Sequence, residues 1–160
     1  MNMTTAPPEL TLVVELTTAD ITGVCDARDN LLAWSEEASC VAPRRCEILI
    51  VGPKPVRGLD TLGAVVPIRF LEVQGAGYYA LKNAGAAAAT GAVVFFTDAD
   101  CRPCPGYVAA LLHAFDDPAV AGVAGRSVYN GSSFLTRLNS ATSFGELHCG
   151  PNSLDQSMVL

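Results

Sequence analysis

Two carboxylates stand one residue apart where an apolar run of the sequence ends. Residues 92–97 read Ala-Val-Val-Phe-Phe-Thr, and Asp98 and Asp100 follow, with a turn behind them. A buried parallel strand is apolar along its length and ligands bind at its carboxyl end, so this position suits chemistry. Two neighbouring carboxylates suit a hard divalent cation, which can clamp phosphate oxygens. The structural alternative is that both residues cap the helix that follows.

A second reactive pattern lies directly behind the first. Cys101-Arg-Pro-Cys104 places two thiols between a predicted strand and a predicted helix, as in a thioredoxin-like thiol-disulfide oxidoreductase. A helix N-terminus at this point would lower the pKa of the thiol. Against this alternative, Asp100 stands where an aromatic residue usually precedes the first cysteine, and a carboxylate there disfavours the thiolate. A zinc site would need further ligands, and His148-Cys149 lacks a suitable spacing.

The elements that must position these residues alternate between strands and helices. Apolar runs rich in β-branched residues indicate strands, and amphipathic or alanine-rich segments indicate helices. The predicted strands cover residues 10–16, 47–51, 65–73 and 92–97, with a further short strand at 119–124, and the predicted helices cover residues 25–39, 79–90 and 107–115. This order predicts an α/β fold, a Rossmann-like, mostly parallel sheet with helices on both faces. Trp34 in the first helix is expected to anchor the core.

Composition narrows the classes of function. Half of the residues are hydrophobic, 16% are charged and the formal net charge is −6. This is the composition of a folded domain, and it argues against a nucleic-acid partner or an anionic membrane surface. No apolar run reaches the ~20 residues of a membrane span, and residues 1–10 lack the features of a signal peptide. We therefore expect a cytoplasmic protein with no membrane span in residues 1–160 and with mostly reduced cysteines.

The region from Glu72 to Tyr107 resembles the central block of the family 2 glycosyltransferases of the GT-A type. The residues that carry the resemblance are Gly75-Ala-Gly-Tyr-Tyr-Ala-Leu-Lys82-Asn83-Ala-Gly85-Ala, then Thr90-Gly91, the apolar strand, Asp98-Ala-Asp100 and the turn at Pro103. Their order and spacing match the family pattern, and the earlier strand, helix and strand match it in order. The resemblance implies an incomplete GT-A fold, that of the nucleotide-diphospho-sugar transferases.

The resemblance also implies roles for individual residues. Asp100 matches the position that meets a divalent metal, Mn²⁺ or Mg²⁺, most directly, and Asp98 matches the one that reaches the ribose or the metal. Lys82 is a candidate contact to the nucleotide or its phosphates, with a solvated surface lysine as the alternative. Thr17 and Glu15, at the end of the first strand, are candidates for seating the base. The implied partners are a nucleotide-diphospho-sugar donor and an acceptor that is a saccharide, a lipid or a protein, and the implied transfer is inverting.

The sequence departs from the family pattern in three places. Glu15 stands where members commonly carry proline, although a charge at a strand end is also consistent with plain solvent exposure. Gly52-Pro53-Lys54 stands where many members carry acidic residues that contact the base. The catalytic base is unassigned, because Glu146, His148 and Asp155 stand in no recognisable motif.

These departures bear on what the chain does alone. We expect residues 1–160 to form a single GT-A-like domain that lacks its C-terminal part, with residues 1–8 as a flexible lead-in. Such a chain is expected to bind a sugar nucleotide without turning it over. A non-catalytic sugar-nucleotide-binding module is the third alternative, beside the transferase and the oxidoreductase.

Overall fold

Strands and helices alternate in the computed structural model, which describes residues 9–17, 24–41, 46–55, 58 and 65–125. The strands are Leu10–Glu15 (β1), Cys46–Gly52 (β2), Ile68–Glu72 (β3) and Val93–Asp98 (β4), and the helices are Val24–Ser39 (α1), Tyr78–Ala88 (α2) and Tyr107–Ala114 (α3). The chain divides into two compact units, Met1–Ala109 and Ala110–Leu160, and the strands, α1 and α2 belong to the first. The predicted lead-in at residues 1–8 lies outside the described residues.

The four strands form one parallel sheet in the order β3-β2-β1-β4. The two central strands, β1 and β2, are buried along their whole length, as expected for parallel strands that are covered on both faces. β1 and β4 pair in register, and Glu15 therefore lies beside Asp98 at the carboxyl edge of the sheet. The prediction of an α/β fold with a mostly parallel sheet is confirmed.

Helices cover both faces of this sheet. Leu81 of α2 belongs to the same buried cluster as Val13 of β1. Phe95 pairs with Leu12, the neighbour of Val13, and so faces the opposite side, since side chains alternate along a strand. The ring of Trp34 in α1 lies 5.5 Å from that of Phe95. Trp34 is buried, which confirms its predicted place in the core.

Gly85 allows α2 to lie close against the sheet. A Cβ at this position would stand 2.4 Å from Cγ1 of Val13 and 3.1 Å from Cγ2 of Val51. Packed carbon atoms rest about 3.5–4.0 Å apart, so a side chain here requires the helix or the strands to move. Glycine weakens a helix interior, and the close approach gives the reason for its presence. The contact at Gly85 thereby sets the position of the helix that carries Lys82.

Four side chains form a network at the opposite, amino-terminal edge of the sheet, which we call the amino-edge network: Thr11, Glu47, Arg69 and Thr90. Glu47 Oε1 accepts hydrogen bonds from Thr11 Oγ1 (2.8 Å), Thr90 Oγ1 (2.8 Å) and Arg69 Nη2 (3.0 Å), and its Oε2 accepts one from Arg69 Nε (2.9 Å). The hydrogen bonds from Arg69, against the opposing effect of burial, lower the pKa of Glu47 from 4.5 to about 2. Arg69 Nη2 also donates to the Ala88 carbonyl (3.2 Å), so the network holds the end of α2.

The same threonine on β1 explains why α2 is shorter than predicted. The helix ends at Ala88 rather than at residue 90. The backbone N–H groups of Thr90 and Gly91 donate to Thr11 Oγ1 at 3.2 and 2.8 Å, which draws them away from the helix. A Cβ on Gly91 would stand 2.5 Å from the backbone nitrogen of Thr11, so glycine is required for this approach.

Two strand predictions are corrected. β3 begins at Ile68 rather than at residue 65, because the N–H of Val65 donates to Ser35 Oγ (2.8 Å) on α1 instead of pairing in the sheet. The predicted strand at 119–124 is wrong, since these residues have no strand conformation. Alanine and glycine, including Gly122, have low strand propensity, and a short apolar run alone does not define a strand.

Beyond the sheet, the second unit contains the end of α3 and the turns after it. An exposed pair joins His113 Nδ1 to Asp116 Oδ2 at 2.8 Å. Across the described ranges, no helix combines the length and apolar character that crossing a membrane requires.

Candidate functional site

The segment 98–101 leaves β4 at the carboxyl edge, and its backbone fixes it there. Ala99 is 2% exposed, donates its N–H to the Glu15 carbonyl (3.2 Å) and accepts a hydrogen bond from Asn30 Nδ2 on its own carbonyl (3.1 Å). The carbonyl of residue 101 accepts one from Trp34 Nε1 (3.0 Å). Because hydrogen bonds to the main chain and the burial of Ala99 hold the turn, the side chains of Asp98 and Asp100 are not needed to hold it.

The capping interpretation of the two aspartates is wrong. α3 begins at Tyr107, several residues after Asp98 and Asp100, whereas a capping side chain must stand directly before the first helical residue. Neither carboxylate caps the helix, and both lie at the carboxyl edge, where parallel α/β sheets bind ligands.

Three possible metal-ligating atoms converge at this turn. A carboxylate oxygen of Asp98, one of Asp100 and the Sγ of Cys101 all lie within 4.8 Å of one another. Asp100 is exposed, and the thiol of Cys101 lies 3.6 Å from its Oδ1. Separations of this size can be spanned by one divalent cation, whose oxygen ligands lie about 2.0–2.6 Å from the ion.

Asp98 is already engaged by two residues of α2, and we call Tyr78, Lys82 and Asp98 the carboxyl-edge cluster. Lys82 Nζ lies 2.7 Å from Asp98 Oδ1 and donates to the Tyr78 hydroxyl (2.6 Å). That hydroxyl donates to Asp98 at 2.9 Å from Oδ1 and 3.1 Å from Oδ2. The ammonium also lies 4.4 Å from the centre of the Tyr78 ring, a cation–π distance. The alternative of a solvated lysine is therefore wrong, since Lys82 turns inward.

The cluster shifts the pKa values of its two donors. Burial alone lowers the pKa of Lys82, but the hydrogen bonds and the charge of Asp98 outweigh it and leave that pKa above its usual value. The pKa of Tyr78 is raised, first by burial and then by Asp98. Lys82 is thus cationic and Tyr78 neutral at neutral pH, and together they hold one positive charge over the carboxylate.

The end of β1 carries the other two predicted contacts. Glu15 is 1% exposed, so the alternative of plain solvent exposure is wrong for this residue. It pairs in register with Asp98 and therefore shares its face of the sheet. Thr17 follows the strand and is half-buried. The structure thus places Glu15 beside the carboxyl-edge cluster and Thr17 just beyond the end of the same strand.

The two cysteines after the aspartates do not adopt the redox geometry that the oxidoreductase alternative requires. Cys101 and Cys104 are both free. They precede α3, which begins at Tyr107, so the helix N-terminus is not at Cys101. Burial and the charge of Asp100 raise the pKa of Cys101, whereas a redox nucleophile needs a lowered one. Elsewhere Cys46 is buried and Cys40 is exposed, and both are free.

Sequence reasoning missed two residues at the site. The family resemblance implies no role for Tyr78, yet its hydroxyl joins Lys82 to Asp98. The spacing of Tyr78 and Lys82 is i, i+4, which places both on one helix face, and this signal was available in the sequence. Asn30 supports the turn from α1 through the Ala99 carbonyl, and no local pattern reveals such a contact across 69 residues.

Fold and site together define an α/β protein of the GT-A type, with carboxylates and a lysine at the carboxyl edge of a parallel sheet. The sequence model of the family described as Glycosyl transferase family 2 matches residues 65–156, more than half of the chain. The chain therefore belongs to glycosyl transferase family 2, as the resemblance indicated. The matched range includes Lys82, Asp98 and Asp100. Among curated proteins, no relative matches this chain.

Proposed function

We propose that this chain forms the donor site of a glycosyltransferase that moves a sugar from a nucleotide-diphosphate donor to an acceptor hydroxyl. The observation that carries the proposal is the convergence of Asp98 and Asp100 at the carboxyl edge, with Lys82 Nζ 2.7 Å from Asp98. Carboxylates suit a cation and a lysine suits a phosphate, and a metal–diphosphate complex presents both charges to one site.

The donor set at the turn fits Mn²⁺ or Mg²⁺. Asp100 and Asp98 offer carboxylate oxygens, which both ions prefer. Burial and the charge of Asp100 raise the pKa of the neighbouring Cys101, so its thiol is neutral at neutral pH. A neutral thiol does not compete with the carboxylates as a ligand for a hard ion. When bound, the metal supplies Lewis-acid stabilisation of the departing diphosphate.

The chain's own residues then divide the work of binding. Asp100 holds the metal, and Asp98 holds the metal or the ribose. Lys82 contacts the phosphates, and Thr17 and Glu15 line the base side at the end of β1. An inverting transfer needs a general base beside the acceptor, which none of these residues supplies. A cytoplasmic location and the absence of a nucleic-acid partner stay predictions from charge and composition.

Calorimetric titration tests the donor site directly. The purified chain is titrated with UDP, GDP, ADP and dTDP, each with and without Mn²⁺. We expect metal-dependent binding of one nucleotide, lost in Asp100→Ala and retained in Glu36→Ala, which removes an exposed acid from α1. Binding that survives Asp100→Ala, in a protein with an unchanged circular dichroism spectrum, would refute the proposed metal site.

The same titration separates the transferase from the oxidoreductase. Replacing both cysteines, Cys101→Ser with Cys104→Ser, should leave nucleotide affinity nearly unchanged, because neither thiol is assigned a contact to the donor. If the double serine variant lost binding while Asp100→Ala kept it, the cysteine pair rather than the aspartate would be the functional group.

A further inference from the structure

The carboxyl-edge cluster holds a cation of its own where the proposed metal site needs one. Lys82 Nζ lies 2.7 Å from Asp98 Oδ1, and a carboxylate oxygen of the same Asp98 converges with one of Asp100. The side chain of Lys82 is 19% exposed, and its ammonium also donates to the Tyr78 hydroxyl. It therefore occupies a defined position on the carboxylate rather than sampling solvent.

A divalent ion and the ammonium cannot both occupy this place. Both are positive and both are drawn to Asp98, and like charges a few ångströms apart repel strongly at the effective dielectric of a protein surface. Binding of a metal at Asp98 therefore requires Lys82 to leave its present partner. A lysine side chain has a flexible four-carbon stem, so the movement needs no change in the backbone.

A diphosphate supplies the missing partner for the displaced lysine. Its negative oxygens compete with Asp98 for the ammonium, and a single transfer of Lys82 from carboxylate to phosphate frees Asp98 for the metal. Tyr78 stays on the helix beside both groups, and its hydroxyl can donate to the carboxylate or to a phosphate oxygen. The exchange replaces the ion pair of Lys82 with Asp98 by two others, Lys82 with a phosphate oxygen and Asp98 with the metal.

We infer that Lys82 is an exchangeable counter-ion that occupies Asp98 until a nucleoside diphosphate draws it away, and that it thereby couples donor binding to metal binding. The inference rests on the proposed function and deepens it. Coupling of this kind is reciprocal: the diphosphate raises the affinity for metal by the same factor as the metal raises the affinity for the diphosphate.

Opposite effects of one substitution on two ligands test the inference. Lys82→Met removes the competing cation but keeps the length of the side chain. In a titration with Mn²⁺ alone, monitored by the electron paramagnetic resonance signal of the free ion, Lys82→Met should bind Mn²⁺ roughly fivefold more tightly than the unaltered chain. A fivefold change corresponds to the upper end of the contribution of a partly exposed ion pair. Titration with UDP, GDP, ADP and dTDP in the absence of metal should show weaker binding than the unaltered chain.

Three further variants serve as controls. Lys82→Arg keeps the charge and should bind Mn²⁺ like the unaltered chain. Lys54→Met removes the same charge from an exposed position and should change Mn²⁺ affinity little. Lys82→Gln repeats the test should the methionine variant fold poorly, as judged by circular dichroism.

The outcomes separate failure of the inference from failure of the proposed function. If Mn²⁺ binding depends on Asp100 but Lys82→Met leaves it unchanged or weaker, the exchange is refuted and the metal site stands. If Mn²⁺ binding does not depend on Asp100, or neither the unaltered chain nor Lys82→Met binds Mn²⁺, the metal site and the exchange both fail.

Discussion

Both edges of the sheet carry a carboxylate paired with a basic side chain on the face that α2 covers, but the two carboxylates differ in how far they are exposed to solvent. At the amino edge, Glu47 has a side chain that is 10% exposed, and Arg69 binds both of its oxygens. At the carboxyl edge, Asp98 is 37% exposed and Lys82 approaches a single oxygen. One carboxylate is enclosed by donors, and the other is reachable from solvent.

The difference separates a structural contact near the end of α2 from an exchangeable ion pair near its start. A guanidinium makes a planar, bidentate grip, whereas an ammonium is a point charge on a mobile stem. Two threonine hydroxyls complete the amino-edge network, and Tyr78 is the hydroxyl partner at the carboxyl edge. We therefore expect substitutions at the amino edge to act on stability and those at the carboxyl edge to act on binding.

The largest effect on stability is expected from Glu47→Gln. The substitution removes the charge and turns one oxygen into an N–H donor that faces Arg69, so buried donors lose their acceptor. The expected loss is about 2–3 kcal/mol, the range for hydrogen bonds to a charged group. Urea denaturation measures it, with Glu36→Gln on the exposed face of α1 as a control that should stay within about 0.5 kcal/mol of the unaltered chain.

Gly85→Ala should come next, because it strains the helix that joins the two edges. The new methyl group would meet Val13 Cγ1 at 2.4 Å, and overpacking of this kind costs about 1–3 kcal/mol. Alanine has the higher helix propensity, which offsets about 1 kcal/mol of that cost. We therefore expect a net loss of stability. Gly77→Ala is the matched control, since a Cβ there meets nothing within 4 Å. Equal melting temperatures for the two variants would show that α2 does not depend on this contact.

The contrast between the edges also shows what the sequence reveals and what it withholds. Asp98 and Lys82 could be placed from local patterns, a strand end and a position one turn into a helix. Glu47 stood at the start of a predicted strand without a role, because its partner Arg69 lies on β3 and the register between β2 and β3 depends on tertiary pairing. The early start predicted for β3 failed for the same reason, since Ser35 on α1 captures Val65.

A pH dependence should belong to the amino edge. The pKa of Glu47 falls from 4.5 to about 2 on folding, so its contribution to stability is fully present above pH 4.5 and is lost as the pH falls through about 2. Within that window the loss approaches about 1.4 kcal/mol per pH unit. Urea denaturation at several pH values should show the stability difference between the unaltered chain and Glu47→Gln shrinking as the pH falls. A difference that stays constant over the window would mean that Glu47 titrates normally.

The smallest effect on stability should come from Asp98→Asn, although this residue has the same kind of partners as Glu47. The asparagine keeps one oxygen for the Tyr78 hydroxyl and loses the ion pair with Lys82, and partly exposed pairs contribute about 0.2–1 kcal/mol. We expect a change in the free energy of unfolding below about 1 kcal/mol by urea denaturation, together with weakened binding of Mn²⁺ in the calorimeter. A loss of stability as large as that of Glu47→Gln would place Asp98 among the structural carboxylates. In that case the ion pair of Lys82 with Asp98 would be a permanent part of the fold, because a pair that stabilises the fold so strongly could not exchange partners when a nucleotide binds.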